Sequence, residues 1–503
     1  MGINGSVFTV QLQGTDRGIL NGSAKCRAKI AWLLRPKRIM NFRPFFSILN
    51  LVPCLLVTAL VQPFATQATP SFARQTSLQC ISCHTEFPLL TDFGRAFKLG
   101  GYTLSADQSM FPPFAVMLQP GFTHTQARVP GGAAPGYHEN DNFALGTVSV
   151  FYAGRLFGPY AETLFGPSAA AVLNKLGIFY QHTWDGVAHH WSWDNVELRY
   201  ADTTALFGQS ANIGIYVNNN PTMQDPWNTL SAWGYPFNTS PLANTPAAAT
   251  LIDGGLSQQV VGVGAYAFLN TTWYLDAGLY HTLGGGFQSL MGIDPTDETQ
   301  VPGVAPYWRL AYSKRDEMGS KSWQIGTSGM LANTYPGRDS SAGHDQILDL
   351  GIDTQFQTVI GKNDLTAILS WTHENQWWQA SQPLGLSSNA ADTLWKAAAT
   401  FHVLHDKTYS AAIQYFVTGG SKDAKLYAES ANGSPLSDGI VLEMNWLPLA
   451  KRGGPDFWPS SSVKFSVQYI IYNRFNGGRS NLDGAGATAS GNNTLFVGAW
   501  IAF

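Results

Sequence analysis

From Phe114 to Phe503 apolar and polar residues alternate with a period of two in segment after segment. In Val463, Phe465, Val467, Tyr469 and Ile471 one side is apolar, while Lys464, Ser466 and Gln468 point the other way. Tyr409, Ala411, Ile413, Tyr415 and Val417 repeat the pattern, and Leu495, Val497, Ala499, Ile501 and Phe503 end the chain with it. Successive side chains of a strand face opposite sides, so this period predicts β-structure with one apolar face. Sixteen candidate strands follow: 114–127, 143–155, 173–184, 189–203, 211–219, 256–270, 272–283 and 304–315, then 321–333, 346–359, 362–376, 390–404, 407–419, 437–449, 460–474 and 492–503.

The connections separate a barrel from a sandwich. Those at 270–272, 315–321, 359–362 and 404–407 are short, whereas 219–256, 283–304, 333–346, 376–390, 419–437 and 474–492 are long, with 449–460 between. Short turns at one end and long loops at the other mark transmembrane barrels, and strands in soluble sandwiches usually run only about 5–6 residues. The expected fold is therefore all-β, a transmembrane antiparallel barrel of about 16 strands over 114–503. An even strand number puts both ends of the barrel on the periplasmic side.

Before the barrel the pattern changes. Residues 25–43 carry Lys25, Arg27, Lys29, Arg35, Lys37, Arg38 and Arg43 without an acid, then come an apolar run from Phe45 to Leu60 and Ala65-Thr66-Gln67-Ala68. That order is a secretory signal, expected to occupy 1–68 and to be cleaved after Ala68. Residues 40–68 already form a complete signal, which makes Met40 an alternative start to Met1. The run is interrupted by Pro44, Pro53 and Pro63 and is shorter than the roughly 20 apolar residues of a spanning helix, so a transmembrane anchor is the weaker reading.

Composition agrees with export to a membrane. Charged residues are 13 % and aromatics 13 % of the 503-residue chain, where a soluble domain has about a quarter charged. The leader holds eight of the 30 Lys/Arg and one of the 33 acids; the remaining 22 against 32 give a formal charge of −10. There is no basic patch for nucleic acid, and an acidic surface favours cations and basic partner proteins.

Cys26 and Cys54 leave with the leader, Cys54 lying inside its apolar core rather than at a lipid-attachment site. What remains is Cys80-Ile81-Ser82-Cys83-His84, the C-x-x-C-H pattern of covalent c-type haem. Both thiols attach to the porphyrin edge and the adjacent imidazole becomes the proximal iron ligand. A thioredoxin-like pair needs a βαβ context, a zinc site needs more ligands, and a plain disulfide leaves His84 unexplained. The haem segment is expected over 69–113, small and mainly irregular or helical, with a helix near 90–99. Phe72, Phe87, Leu89, Leu90, Phe93, Phe97 and Leu99 are the candidate apolar cover. At about 45 residues it needs a staple, which haem or the walls of a barrel supply. The distal ligand stays open between Met117, His124, Met110 and none, a thioether giving the higher potential.

The stretch from Pro70 to Tyr102, PSFARQTSLQCISCHTEFPLLTDFGRAFKLGGY, resembles the haem segment of fused cytochrome–porin proteins of the bacterial outer membrane. The matching features are Phe72 to Thr76 before the haem motif, and Phe93-Gly94-Arg95 and Phe97-Lys98-Leu99 after it. NNNPTMQDPWNTLSAWGYP (Asn218–Pro236), DGVAHH with DNVELRYA, and the closing aromatic add to the likeness, while 161–174 reads as an insertion. Some members are ferrous-iron oxidases. The resemblance implies that one haem c takes an electron from extracellular Fe(II) and passes it to a periplasmic cytochrome c or copper protein, with His84 at the reacting iron.

A single haem and an apolar band about 25 Å tall set a distance problem. A haem segment plugging the lumen, with a haem edge accessible from each side, answers it; a haem on the periplasmic side answers it poorly. Arg74 and Arg95 are candidate partners of the haem propionates, with ordinary lumen salt bridges as the competing reading. Asp294, Asp297 and Glu298 form an acidic outer loop, either a lure for Fe(II) or simply solvated. His189 and His190 fall on opposite faces of an expected strand and do not form a joint site. Rival functions are a haem-containing diffusion porin, electron transfer with another donor or in the outward direction, and a soluble periplasmic haem enzyme.

Overall fold

The computed structural model describes residues 70–105, 113–295, 300–317, 319–451, 454 and 461–503. The leader 1–68 and Met110 lie outside the described residues, as do Asp297 and Glu298.

The N-terminal segment starts with helix α1 (Pro70–Thr76) and a single turn α2 (Cys80–Cys83). A small hairpin, β1 (His84–Glu86) and β2 (Leu89–Leu90), leads into helix α3 (Asp92–Leu99). Thr91 caps α3 by accepting from Gly94 N at 3.1 Å.

Then come β3 (Phe114–Thr125), β4 (Asn142–Arg155), β5 (Leu176–Asp185), β6 (His190–Leu206), β7 (Gln209–Asn218) and β8 (Val260–Leu269). Next are β9 (Trp273–Thr282), β10 (Ala305–Arg315), β11 (Lys321–Thr334), β12 (Asp345–Ile360) and β13 (Asn363–Trp377). The last five are β14 (Ala391–His405), β15 (Tyr409–Gly420), β16 (Ser437–Trp446), β17 (Ser462–Arg474) and β18 (Thr494–Ala502). β3 to β18 form a closed antiparallel barrel of sixteen strands, each paired with its neighbours in sequence and β18 closing on β3. Pro120, which has no N–H to give, sits where the β3–β4 register shifts.

Each of the sixteen expected segments overlaps one barrel strand. Departures of three residues or more are at the starts of β5 and β8 and at the ends of β6, which runs on to Leu206, and β16, which stops at Trp446. Residues 173–175 end a pair of short helices, Ala161–Phe165 and Pro167–Leu173, that fill the sequence insertion. Residues 256–259 belong to the long connection before β8 rather than to the strand.

Burial is inverted relative to a soluble protein. On β17, Lys464, Ser466 and Gln468 are buried in the lumen while Phe465 and Val467 are exposed. The same holds for Leu350, Ile352 and Phe356 outside β12 and Asp349, Asp353 and Gln355 inside it. Exposed apolar and buried polar faces are what a lipid-facing barrel presents. No described helix is long and apolar enough to cross a membrane.

The lumen is filled from two directions. Residues 70–105 enter from the end at which β3 begins and β18 ends: Arg95 Nη1 donates to Gln357 Oε1 at 2.8 Å and Asn445 Nδ2 donates to Glu86 Oε1 at 2.7 Å. Arg199 Nη1 donates to Lys98 O at 2.9 Å and pairs with Glu197 at 2.8 Å, while Tyr102 OH donates to Glu197 at 2.9 Å. The connection 219–259 folds inward from the long-loop end. Gln355 Nε2 donates to Trp227 O at 2.9 Å, and Gln468 Nε2 to Asn238 O at 2.9 Å.

Candidate functional site

The haem-type motif sits on one continuous wall. α2 carries both thiols of the motif, Cys80 buried and Cys83 half-buried. Thr91 N donates to Cys83 O at 2.9 Å, and Thr91 Oγ1 donates to Ser82 O at 2.7 Å, so the cap of α3 also holds the cysteine turn. At Gly94 a Cβ would run into the Cys83 carbonyl; only glycine lets α3 lie this close.

His84 Nδ1 lies 3.3 Å from Pro88 O, and its ring packs on Phe87 with centroids 4.4 Å apart. A carbonyl only accepts, so the proton is on Nδ1 and the lone pair on Nε2, the form in which imidazole ligates a metal. Burial pushes the His84 pKa down to about 4, which keeps the ring neutral at ordinary pH. Burial also raises the Cys83 thiol to about 11.

Both cysteines and His84 open on one cleft, with a cavity of about 120 Å³. Phe72, Phe97, Phe151, Phe179, Trp233 and Trp500 make its walls predominantly apolar. Exposed Leu78 and Gln79 form its rim with Ser462 and Ala502, at the end where β3 begins and β18 ends. From the opposite side Asn228 and Trp233, on connection 219–259, close it. That connection bonds to β12 at Asp349 and Asp353, nearer the long-loop end than the Gln355 and Gln357 used by Arg95. It therefore stands between the cleft and the long loops.

The candidate distal ligands separate in space. Met117, fully buried on the lumen face of β3, lines the same cleft as His84. Its sulfur accepts a weak bond from Gln119 Nε2 at 3.7 Å. His124 is near the other end of β3, exposed and paired with Asp141 at 2.6 Å, outside the cleft. Of the two arginines, neither lines the cleft. Arg95 is held by Asp92, Leu90 O, Gln355 and Gln357, the lumen ion-pair reading. Arg74 donates through Nη2 to Phe114 O while its buried Nη1 has no hydrogen-bond partner; burial lowers its pKa to about 10.

Phe93 was expected as apolar cover but is 39 % exposed, because it lies on the side of α3 turned away from the cleft. His189 occupies the β5–β6 turn rather than a strand, and both it and His190 are exposed. Asp294 is exposed in its loop. Among the described residues no three His, Cys, Asp or Glu side chains converge as a metal site.

Sequence reasoning passed over Lys98 and Asn228. Lys98 is buried in the cleft wall, donating to Asp225 O at 2.7 Å and Asn228 Oδ1 at 3.3 Å. Burial lowers its pKa to about 7. Asn228 Nδ2 in turn donates to Pro88 O at 2.9 Å, the carbonyl that accepts from His84. The two thiols, the oriented imidazole, the apolar cleft and a thioether in its wall fit a covalently held haem.

No protein-family profile matches the chain. No curated protein matches it in sequence. Solved structures similar to it include an anion-selective porin from Comamonas acidovorans, 12 % identical, covering 78 % of this chain and 98 % of that one, with a TM-score of 0.40. OmpF of Salmonella typhi, in complex with daunomycin, is 10 % identical over 78 % of this chain and 97 % of that one, TM-score 0.41. OprB of Pseudomonas putida is 9 % identical over 78 % and 94 %, TM-score 0.42.

Proposed function

We propose that the protein is a bacterial outer-membrane cytochrome of the fused cytochrome–porin type. It takes an electron from Fe(II) outside the cell and hands it to a periplasmic carrier, a soluble cytochrome c or a copper protein. The observation that carries this reading is the convergence of Cys80, Cys83 and His84 on an apolar cleft within the barrel lumen, with Met117 in its wall. A c-type haem bound there supplies one-electron iron chemistry. The chain's own residues then divide the work. Cys80 and Cys83 tether the group, and the Pro88 carbonyl fixes the His84 tautomer. The aromatic walls exclude water, and the rim at Leu78 and Gln79 offers the approach for a periplasmic partner. An electron from the outer side has connection 219–259 to cross.

What favours a conduit over an open diffusion channel is that residues 70–105 and 219–259 both occupy the lumen. The deciding experiment is stopped-flow absorbance of the detergent-purified holoprotein mixed with Fe(II). Rapid growth of reduced c-haem bands, saturating with Fe(II), supports iron oxidation. If the bands stay oxidised with Fe(II) yet appear with a chemical reductant, another donor or direction takes its place.

A further inference from the structure

We propose that Asn228 tunes the reduction potential of the haem by sharing the Pro88 carbonyl with His84. The inference rests on the haem reading above. The carbonyl of Pro88 receives two donors, His84 Nδ1 at 3.3 Å and Asn228 Nδ2 at 2.9 Å. The closer donor draws electron density from the oxygen and weakens its pull on the imidazole proton. A weaker pull leaves the imidazole a poorer electron donor to iron, which favours Fe(II) and raises the potential.

Asn228 is built into position rather than placed there by chance. Its φ is +56°, a left-handed conformation that asparagine tolerates and most residues do not. Asp225, three residues earlier, receives Trp227 N at 3.1 Å and Thr229 N at 2.8 Å, bracketing Asn228 in a tight turn. Asp225 is itself anchored on the barrel wall by Arg309 at 3.2 Å, and Arg309 forks onto Asp353 at 2.6 and 2.9 Å. On the other side Lys98 donates to Asn228 Oδ1 at 3.3 Å, so the amide is oriented with its NH₂ toward Pro88. The positive φ and the bonds on both sides together fix where the Asn228 amide points. This gives the segment around Asn218–Pro236 a role: it brings a second-sphere donor from a barrel connection to the proximal histidine.

The test is a redox titration of the holoprotein and two variants, with the His84 Nδ1 proton followed by NMR in the reduced, diamagnetic state. Asn228→Gly removes the donor and suits the positive φ. Asn228→Ala removes the N–H and leaves the charge of the site unchanged. In both, the potential is expected to fall, shifting the Fe(III)/Fe(II) ratio at a fixed ambient potential roughly tenfold, about 59 mV for one electron. The Nδ1 proton is expected to move downfield as its bond to Pro88 shortens. A purely structural Asn228 moves neither readout. Unchanged potential and proton shift in haem-loaded variants overturn the proposal, as does failure of both variants to take up haem. If the wild type itself lacks covalent haem by its pyridine haemochrome spectrum, the functional reading falls first and this inference with it.

Discussion

Lys98 is 6 % exposed in the cleft wall, and burial lowers its pKa to about 7 from 10.5. Between those values the unfolded chain holds a proton that the folded protein has released, so the unfolded state binds more protons and stability rises with pH. Below about 7 both states are protonated and the cost of burying the ammonium is fully present. Proteolytic cleavage within residues 70–105 is therefore expected to be faster below about pH 7 than well above it, and Lys98→Met is expected to flatten that dependence. Met117 and His124 make a second residue-scale contrast. Met117 lines the cleft and His124 is exposed beside Asp141. Met117→Ala is expected to abolish the low-spin absorption bands of the oxidised holoprotein, and His124→Ala to leave them unchanged. Loss of the bands in His124→Ala alone would reverse the assignment.

At the scale of elements, the contact between α3 and the cysteine turn is the tightest constraint on the site. A Cβ at Gly94 meets the Cys83 carbonyl oxygen, which is backbone and cannot move aside alone. Gly94→Ala is expected to push α3 away from Cys83, at about 1–3 kcal/mol for an overpacked position. Covalent haem per purified protein, read from the pyridine haemochrome, is expected to drop several-fold; full loading would remove the constraint. The strands were legible because a lipid-facing barrel writes its structure as a period of two, as in Val463 to Ile471, with Lys464 and Gln468 turned inward. The C-x-x-C-H motif is likewise local in the chain, Cys80, Cys83 and His84 lying within five residues. Lys98, Asn228 and Asp225 were not legible. Lys98 and Asn228 are 130 residues apart and meet only after the barrel has closed and the β7–β8 connection has turned inward. That connection has no hydrophobic period to announce where it goes, and its length alone suggests an outer loop.

For the whole molecule, the question is whether the lumen is a passage or a filled vessel. The in-folded connection hangs on one buried ionic knot: Arg309 with Asp225 and Asp353, all fully buried, with Thr229 Oγ1 donating to Asp353 at 2.7 Å. Removing one partner of a buried pair leaves charge uncompensated, about 3–5 kcal/mol. In Arg309→Met, Asp225 and Asp353 face each other without their cation, and the connection is expected to leave the lumen while the sixteen-strand hydrogen-bond ladder remains. Small-solute flux into liposomes containing the wild type is then expected to be low, and flux through Arg309→Met several-fold higher at unchanged barrel content by circular dichroism. The measurement discriminates between functions as well as between structures. A wild type that already passes small solutes freely has a lumen open around residues 70–105, and a porin whose N-terminal segment merely narrows the channel becomes the better description. A wild type that is tight, and opens when the Arg309 knot is cut, has a lumen sealed by its own chain, as the proposed conduit requires and an open diffusion channel does not.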